Sequence, residues 1–543
     1  MRTRLFLSLF FAVLLPSVGA QEEESMPAAE PGVMQEASAA EEVVEGIDEK
    51  LDRLFGEATG WFVESIFSTI PVNGYDVLWI VLWLGLAGLV LTIVFRLINF
   101  RAFPLALRTV KGKYTPPNAV GEISHFQALS AAVSGTVGLG NIAGVAIGIA
   151  VAGPGVAFWL FLAGFLGMAT KFAECTLGVR YREIDDHGTV HGGGMYFLKK
   201  GLAERGMGSL GKVLAFFFAI FCVFASFGGG NIFQINQATQ QLLAVTGSDG
   251  FWGANQWVFG LIFAVLTALV ILGGIQGIAK VTGKLVPLMC VVYVFSAIIV
   301  LVVNIGQIPA AIGMIITEAF QPRAAVTGGF LAVFIWGIRR ATFSNEAGIG
   351  SAPIAHAAVK TNKPASEGVV ALLEPFIDSV VVCTMTSLVI VTSMTFVGDS
   401  GEYTVNGVSY VLGKGGNSAF GIELTSMAFE SVHAAFKYVL FACVILFAFS
   451  SMVTWSYYGL QAWEYLLGKS RAVVLSYRIL FCLIIVVGAS AGMGKAVDFS
   501  DAALFAMAIP NLIGVYLLIP IVRKEYADYV AYAKRVDEGG DLE

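Results

Sequence analysis

The chain has 543 residues, of which 57% are hydrophobic and only 13% charged, and its mean hydropathy is +0.77. Soluble domains carry about 25% charged residues, so the composition excludes a soluble globular protein and marks a polytopic membrane protein. The formal net charge of −6 says little about partners, because in such a chain charge is sorted by membrane side; no nucleic-acid partner is expected.

Residues 1–20 have the pattern of a secretory signal peptide: Arg2 and Arg4, an apolar run from Leu5 to Leu15, and Val18-Gly19-Ala20 as a small-residue cleavage site. Residues 21–45, rich in Glu and Ala, are expected to be disordered. Over 46–70, Ile47, Leu51, Leu54, Phe55, Phe62, Ile66 and Phe67 recur at helical spacing, which predicts an amphipathic helix on the outer, periplasmic interface. A long apolar region, 76–525, follows, and then a polar tail, 526–543.

Within it, eleven membrane-spanning helices are expected, over 76–99, 123–151, 155–181, 211–243, 254–276, 283–305, 326–350, 367–396, 433–459, 473–493 and 501–522. Lys and Arg mark the cytoplasmic connections. Arg101, Arg108, Lys111 and Lys113, then Lys199 and Lys200, then Lys360 and Lys363, then Arg523 and Lys524 all fall on one side. The N-terminus is then outside and the C-terminus cytoplasmic, as expected for the plasma membrane of a bacterium. Cys175, Cys222, Cys290, Cys383, Cys443 and Cys482 lie within or beside the spans without metal-ligand spacing, so neither a zinc site nor a disulfide framework is read.

The span 123–151 is interrupted by Ser134-Gly135-Thr136-Val137-Gly138-Leu139-Gly140-Asn141-Ile142-Ala143-Gly144. Each glycine costs a helix about 1 kcal/mol against alanine. Inside a bilayer an opened backbone is tolerated only where it is buried in protein or lines a cavity. The span 326–350 carries a comparable interruption, Gly337-Ile338-Arg339-Arg340 followed by Asn345-Glu346-Ala347-Gly348-Ile349-Gly350. Without the first span, ten remain in two groups of five, 123–305 and 326–522, each opening on an interrupted helix. That is the pattern of an inverted repeat with a binding site at the midplane.

The motifs Thr136 to Gly144, Gly153-Pro154-Gly155, Gly167 to Cys175, Phe343 to Ala358 and Leu373-Glu374-Pro375-Phe376-Ile377-Asp378 resemble the bacterial sodium:alanine/glycine symporter family, over about residues 46–525. The resemblance implies the leucine-transporter-type fold: an all-α membrane protein with a 5+5 inverted repeat, two broken helices and one extra N-terminal helix. It also implies symport of a small neutral amino acid with Na⁺, without a cofactor and without enzymatic chemistry. The same resemblance places a sodium site between the carbonyls of Ser134 and Val137 and the ninth span, through the Phe447 carbonyl and the Ser450 and Ser451 hydroxyls. A second sodium site through Thr136 and Asn141 is the finer expectation.

The residues propose a substrate site of their own. The freed N–H groups of Gly138, Leu139 and Gly140 suit a carboxylate at a half-helix N-terminus. Carbonyls near Phe334, Trp336 and Gly337 in the second interruption suit an ammonium, and Trp336 either closes the pocket or packs in the core. Asn231 and Gln234, three apart, face either substrate or a neighbouring helix, and Gln127 precedes the break. Arg339, Arg340, Glu374 and Asp378 fall at membrane depth, where ionisable groups are costly and usually paired. They are expected to form an inner gating network, with Lys171 and Glu174 as a structural pair.

A proton-coupled carrier of the same fold is the nearest rival; it needs a carboxylate near the ion site, and none is expected there. A channel needs a continuous polar pore, and an intramembrane hydrolase needs a nucleophile–base arrangement that the spans lack. The chain is read as a monomer in the lipid bilayer.

Overall fold

The computed structural model describes residues 47–72, 75–186, 188–272, 274–323, 326, 328–397, 401–412 and 421–542. The expected signal segment 1–20 and acidic stretch 21–45 lie outside the described residues. In hydrocarbon a chain must close its own backbone hydrogen bonds, and this one does so almost entirely with helices. Seven are long and apolar enough to cross a membrane: Val156–Arg180, Gly208–Thr246, Gly277–Val303, Pro364–Ser393, Phe436–Leu467, Arg471–Ser490 and Met493–Asp537. An eighth crossing is the pair His125–Thr136 and Leu139–Ala152, bent by 58° at the glycine-rich break. The other expected spans correspond to shorter helices, Trp79–Val94 and Gln256–Ile271 of 16 residues each and Gly329–Asn345 of 17, so a count of eleven rests on those three.

Helix Val156–Arg180 packs against Gly329–Asn345, Pro364–Ala371 and Trp79–Val94. Helix Phe436–Leu467 packs against Gly208–Phe227, Gly274–Val303 and the first half of the bent pair. Close approach depends on small residues, as expected where lipid supplies no hydrophobic drive between helices. A Cβ at Gly368, for instance, would lie 2.0 Å from Thr176 Oγ1 and 2.6 Å from the Phe172 carbonyl oxygen. Two helices relax into π turns, at Gly228–Ile232 and Phe376–Cys383, a distortion that recurs at functional sites. A small antiparallel sheet, Met394–Val397 with Glu402–Val405 and Val408–Val411, was not legible between its flanking spans.

The amphipathic helix is present as Ile47–Ile66, but its apolar stripe is spent on protein. Phe55, Phe62 and Ile66 are buried; Phe55 and Phe62 meet the Phe499 ring at 5.4 and 6.1 Å, and Phe62 meets Phe224 at 5.4 Å. Its carboxylates reach two distant helix starts. Asp52 Oδ1 accepts the Gly492 N–H at 2.6 Å, and Asp48 Oδ2 accepts the Gln256 N–H at 3.3 Å. Lys495 donates to Asp52 at 2.7 Å. At the opposite end of the chain, helix Met493–Asp537 runs past its apolar part, so most of the expected tail is helical. Asp537 ties it to Arg108 and Lys113, each at 2.7 Å, and those cations hold its carboxyl below the usual range, Lys113 contributing most through its hydrogen bond.

Removing the carboxylate in Asp52→Ala deletes an N-terminal cap, typically worth about 1 kcal/mol. The helix Ile47–Ile66 should then detach more often, and trypsin should cut at Arg53 faster. Unchanged protection in a proteolysis time course would show that the apolar stripe alone holds it.

Candidate functional site

The first interruption is built from glycine and closed by side chains. Helix His125–Thr136 starts with a capping box, in which Ser124 accepts from the Gln127 N–H and the Gln127 side chain accepts from the Ser124 N–H. It ends at Val137, and a single 3₁₀ turn, Leu139–Asn141, leads into Ala143–Ala152. The Gly138 N–H donates to Asn141 Oδ1 at 2.9 Å, and the Leu139 N–H donates to Gln234 Oε1 at 3.0 Å. Thr425 donates to the Ile142 carbonyl at 3.2 Å. A Cβ at Gly138 would fall 2.4 Å from Ser451 Oγ and 3.0 Å from Gln234 Oε1, so only glycine lets these elements meet.

The second interruption follows the same logic. Helix Gly329–Asn345 stops at Glu346, which is left-handed at φ 57°, and Gly348 and Gly350 also have positive φ. The Ala347 N–H donates to Asn345 Oδ1 at 2.9 Å, and Asn511 donates to the Gly348 carbonyl at 2.8 Å. Trp455 Nε1 donates to Glu346 at 2.9 Å.

The two interruptions touch. A Cβ at Gly140 would be 3.2 Å from Ser344 Cα and 3.3 Å from the Phe343 ring, which meets Phe233 at 4.6 Å. Between them lies the fully buried Asp378, carried on the Phe376–Cys383 π turn. Its Oδ2 accepts from Asn141 Nδ2 at 2.6 Å and from Ser344 Oγ at 3.1 Å, and its Oδ1 accepts from Ser379 Oγ at 2.9 Å. Every one of these donors is neutral, and among the described residues no ion pair reaches Asp378. The expectation that no carboxylate stands near the ion site is therefore corrected: one contacts Asn141 directly.

The other expected ion site also draws its residues together. Ser451 Oγ donates to the Ser134 carbonyl at 3.1 Å, Ser134 Oγ donates to the Ser450 carbonyl at 2.9 Å, and Ser450 Oγ donates to the Phe447 carbonyl at 3.1 Å. Val137 closes the half-helix beside them. Thr454, one turn further along, has a buried hydroxyl without a hydrogen-bond partner among the described residues. The sequence reading missed it, although its i+4 spacing from Ser450 was visible. Thr136 bonds back to Ala132 and Val133 of its own helix.

Several expected substrate residues stand elsewhere. Gln127 is consumed by the capping box, three turns before the break. Asn231 donates to the Phe481 carbonyl at 2.8 Å, an interhelical bond. Gly337 faces helix Val156–Arg180, since a Cβ there would lie 2.3 Å from Trp159 Cβ, and Phe334 packs edge-on against Trp159 at 4.8 Å. Trp336 lies under the guanidinium groups of Arg339 and Arg340, at 4.7 and 5.5 Å.

The expected inner gating network is also corrected. Arg339 and Arg340 do not meet Glu374 or Asp378; both bind the buried Asp501, Arg339 at 2.5 Å, and Arg339 reaches Asp498 at 3.0 Å. Arg339 also lies 4.7 Å from the Phe67 ring. The pair thus sits at the end of the bundle covered by helix Ile47–Ile66, the end expected to face outward. Glu374 binds Lys171 at 3.1 Å and His356, while Glu174 accepts from Asn511 at 2.5 Å. Lys171 and Glu174 are therefore not each other's partner.

Removing one partner of a buried ion pair typically costs about 3–5 kcal/mol, whereas an exposed pair is worth about 0–1 kcal/mol. Asp501→Asn should thus lower the thermal unfolding temperature far more than Asp498→Asn, whose side chain is 54% exposed. Equal shifts would show that Asp501 is not the anchor of this group.

Residues 61–540 match the sodium:alanine symporter family. The chain is 39% identical over 461 residues to the sodium/alanine symporter AgcS of Methanococcus maripaludis, covering 85% of this chain and 96% of that protein. It is 32% identical over 477 residues to the probable sodium/glutamine symporter GlnT of Bacillus subtilis, covering 87% and 92%. The crystal structure of MhsT in complex with L-phenylalanine aligns with a TM-score of 0.47 at 15% identity, over 75% of this chain and 99% of that one. The chain belongs to the sodium:alanine symporter family, and it is a multi-pass membrane transporter, an amino acid symporter and not an enzyme.

Proposed function

We propose that the protein couples inward Na⁺ flow to uptake of a small neutral amino acid, alanine or glycine, by alternating access. The observation that carries this reading is how oxygen groups gather at the interrupted helices: Asn141 of the first and Ser344 of the second both donate to Asp378, and Ser134 of the first meets Ser451 of helix Phe436–Leu467. Sodium is a hard cation that prefers oxygen, and discontinuous helices with freed carbonyls are where transporters bind such ions. One sodium lies among the Ser134 and Val137 carbonyls, the Phe447 carbonyl, and the Ser450 and Ser451 hydroxyls. A second lies by Asn141 and Thr136, with Asp378 supplying the negative charge.

The substrate carboxylate takes the N–H groups at Gly138, Leu139 and Gly140. In the structure the Leu139 N–H is already matched to a side-chain oxygen, that of Gln234, and the carboxylate would take over that place. The tight surroundings of Gly138 and Gly140 favour a substrate with a short side chain. In this reading the chain is two inverted five-helix repeats behind one extra span, with helix Ile47–Ile66 outside and the tail 526–543 in the cytoplasm. The names of the relatives, one for alanine and one for glutamine, lend support to amino acid cargo with sodium.

Purified protein in proteoliposomes should accumulate radiolabelled alanine under an imposed inward Na⁺ gradient, and glycine should compete. Accumulation driven equally by a proton gradient without Na⁺ would overturn sodium coupling. Ser451→Ala should raise the half-saturating Na⁺ concentration several-fold with little change in which amino acids compete; an unchanged Na⁺ dependence removes Ser451 from the site. Gly138→Ala should abolish the alanine-induced thermal shift while leaving a folded protein, because the added methyl meets Ser451 Oγ.

A further inference from the structure

Five buried ionisable side chains form one unbroken line at the end of the bundle expected to face the cytoplasm. His125 Nδ1 meets one carboxylate oxygen of Glu367, and the other oxygen meets His356 Nδ1 at 2.5 Å. His356 Nε2 meets Glu374, whose second oxygen lies 3.1 Å from Lys171 Nζ. None of the five is more than 3% exposed. The line uses four separate pieces of the chain. These are the first residue of the first interrupted helix, the short helix Pro353–His356 after the second interruption, the stretch 364–375, and helix Val156–Arg180.

Hydrogen-bond chemistry demands an extra proton here. A neutral imidazole has one N–H donor, and an ionised carboxylate only accepts. Both ring nitrogens of His356 face carboxylate oxygens, so both bonds can exist only if His356 is an imidazolium or one carboxyl is protonated. The charges agree. Within the line, Lys171 and an imidazolium at His356 match the two carboxylates, Glu367 and Glu374. Without that proton the line would carry a net negative charge in a site from which water is excluded, a costly state.

No neighbour satisfies the two His356 bonds in place of that proton. Glu174 is bound to Asn511, and Glu346 to Trp455 and Ser351. Arg182 brings a further positive charge toward Glu367, but its guanidinium donates to the carbonyls of Val120, Ala357, Val359 and Thr361, so it supplies no donor to the line. Among the described residues, Cys175 on helix Val156–Arg180, the phenols of Tyr458 and Tyr529 and, toward Lys171, the carboxyl of Asp378 are further titratable groups that face the line. His125 lies between the exposed Ser124 and Phe126, so the line ends one residue from the surface.

We propose that the His125–Glu367–His356–Glu374–Lys171 line is a proton-binding site, loaded through His125, whose proton on His356 clamps the short helix after the second interruption to the stretch 364–375. Losing the proton removes one of the two bonds of His356 and loosens this end of the bundle. Proton occupancy thereby sets how fast that face opens. The transport half of this inference rests on the proposed Na⁺-driven uptake; the proton-binding half does not.

The first test reads the proton directly. In full-length protein labelled with ¹⁵N-histidine, one ring should show both nitrogens protonated from about pH 6 to about pH 8, across which an ordinary histidine loses its charge. That signal should vanish in His356→Gln. A wild-type spectrum with no persistent imidazolium overturns the site, as does one zinc ion per chain by elemental analysis, which would assign Cys175, His356 and Glu374 to a metal. The second test is alanine exchange in proteoliposomes with Na⁺ and pH equal on both sides. The wild-type rate should stay level between about pH 6 and about pH 8, where the proton is held, and rise roughly threefold from about pH 8 to about pH 10 as it is lost; Glu367→Gln, which removes one carboxylate that holds it, should bring the rise back toward the range of an ordinary histidine. A flat wild-type profile overturns the clamp. Should Glu367→Gln fail to fold, the wild-type spectrum and profile still decide. Should the wild type transport no alanine, the function proposed above fails, while the spectrum still judges the proton site.

Discussion

The structure depends on how two opened stretches of backbone are satisfied where no water is available. An unpaired amide in hydrocarbon costs several kcal/mol, so a break in a buried helix must recruit donors and acceptors from elsewhere. Here the recruits are amide and hydroxyl side chains, some from the break itself and some from other helices. Asn141, Gln234 and Thr425 serve the first break, and Asn345 and Asn511 the second. Each recruited group comes from a fixed place in the fold, so the breaks also define which helices must neighbour one another. In the proposed function the Gln234 oxygen that accepts from the Leu139 N–H gives way to the substrate carboxylate, so the requirement that fixes the fold is also what that proposal uses to seat the cargo.

Charge follows a parallel rule. Ionisable groups at this depth are expensive, and many of those among the described residues are gathered into two clusters at opposite ends of the bundle. Arg339, Arg340 and Asp501 close one end, and the histidine–glutamate line closes the other. Asp378 belongs to neither. It sits between them with neutral donors only, which is the arrangement expected of a carboxylate whose counter-charge comes and goes.

Much of this was legible in the sequence for a definite reason. Glycine clusters inside apolar runs announce a helix that cannot continue, and Ser450 and Ser451 are adjacent on one helical face by spacing alone. The position of the serines against Ser134 then follows from packing two helices. What was not legible depends on contacts between residues far apart in the chain. Nothing local tells that Arg340 finds Asp501, 161 residues later, in preference to Glu374 or Asp378. The direction of Phe334 and Gly337 was misjudged because both faces of a buried helix are apolar, so periodicity does not say which one meets the pocket. Gln127 looked like a site residue because a polar side chain in an apolar run stands out, yet its amide serves the start of its own helix. The family resemblance supplied the ion sites as expectations, and the geometry supplied Asp378 and Thr454.

The docking of helix Ile47–Ile66 has a consequence for the order in which the protein is made. Its Asp52 caps a backbone N–H 440 residues further along the chain. At about 5–20 residues per second of synthesis, roughly 20–90 s separate the two ends of that bond. Throughout the interval the segment has emerged but its seat is incomplete: Phe224, which meets Phe62, is made early, whereas Phe499, which meets both Phe55 and Phe62, is not yet present. The bilayer surface is the nearest apolar shelter, and an amphipathic helix is suited to lie there. The seating of the segment is thus completed only once the last helix has been made, because Asp52 and Phe55 find their partners Gly492 and Phe499 there.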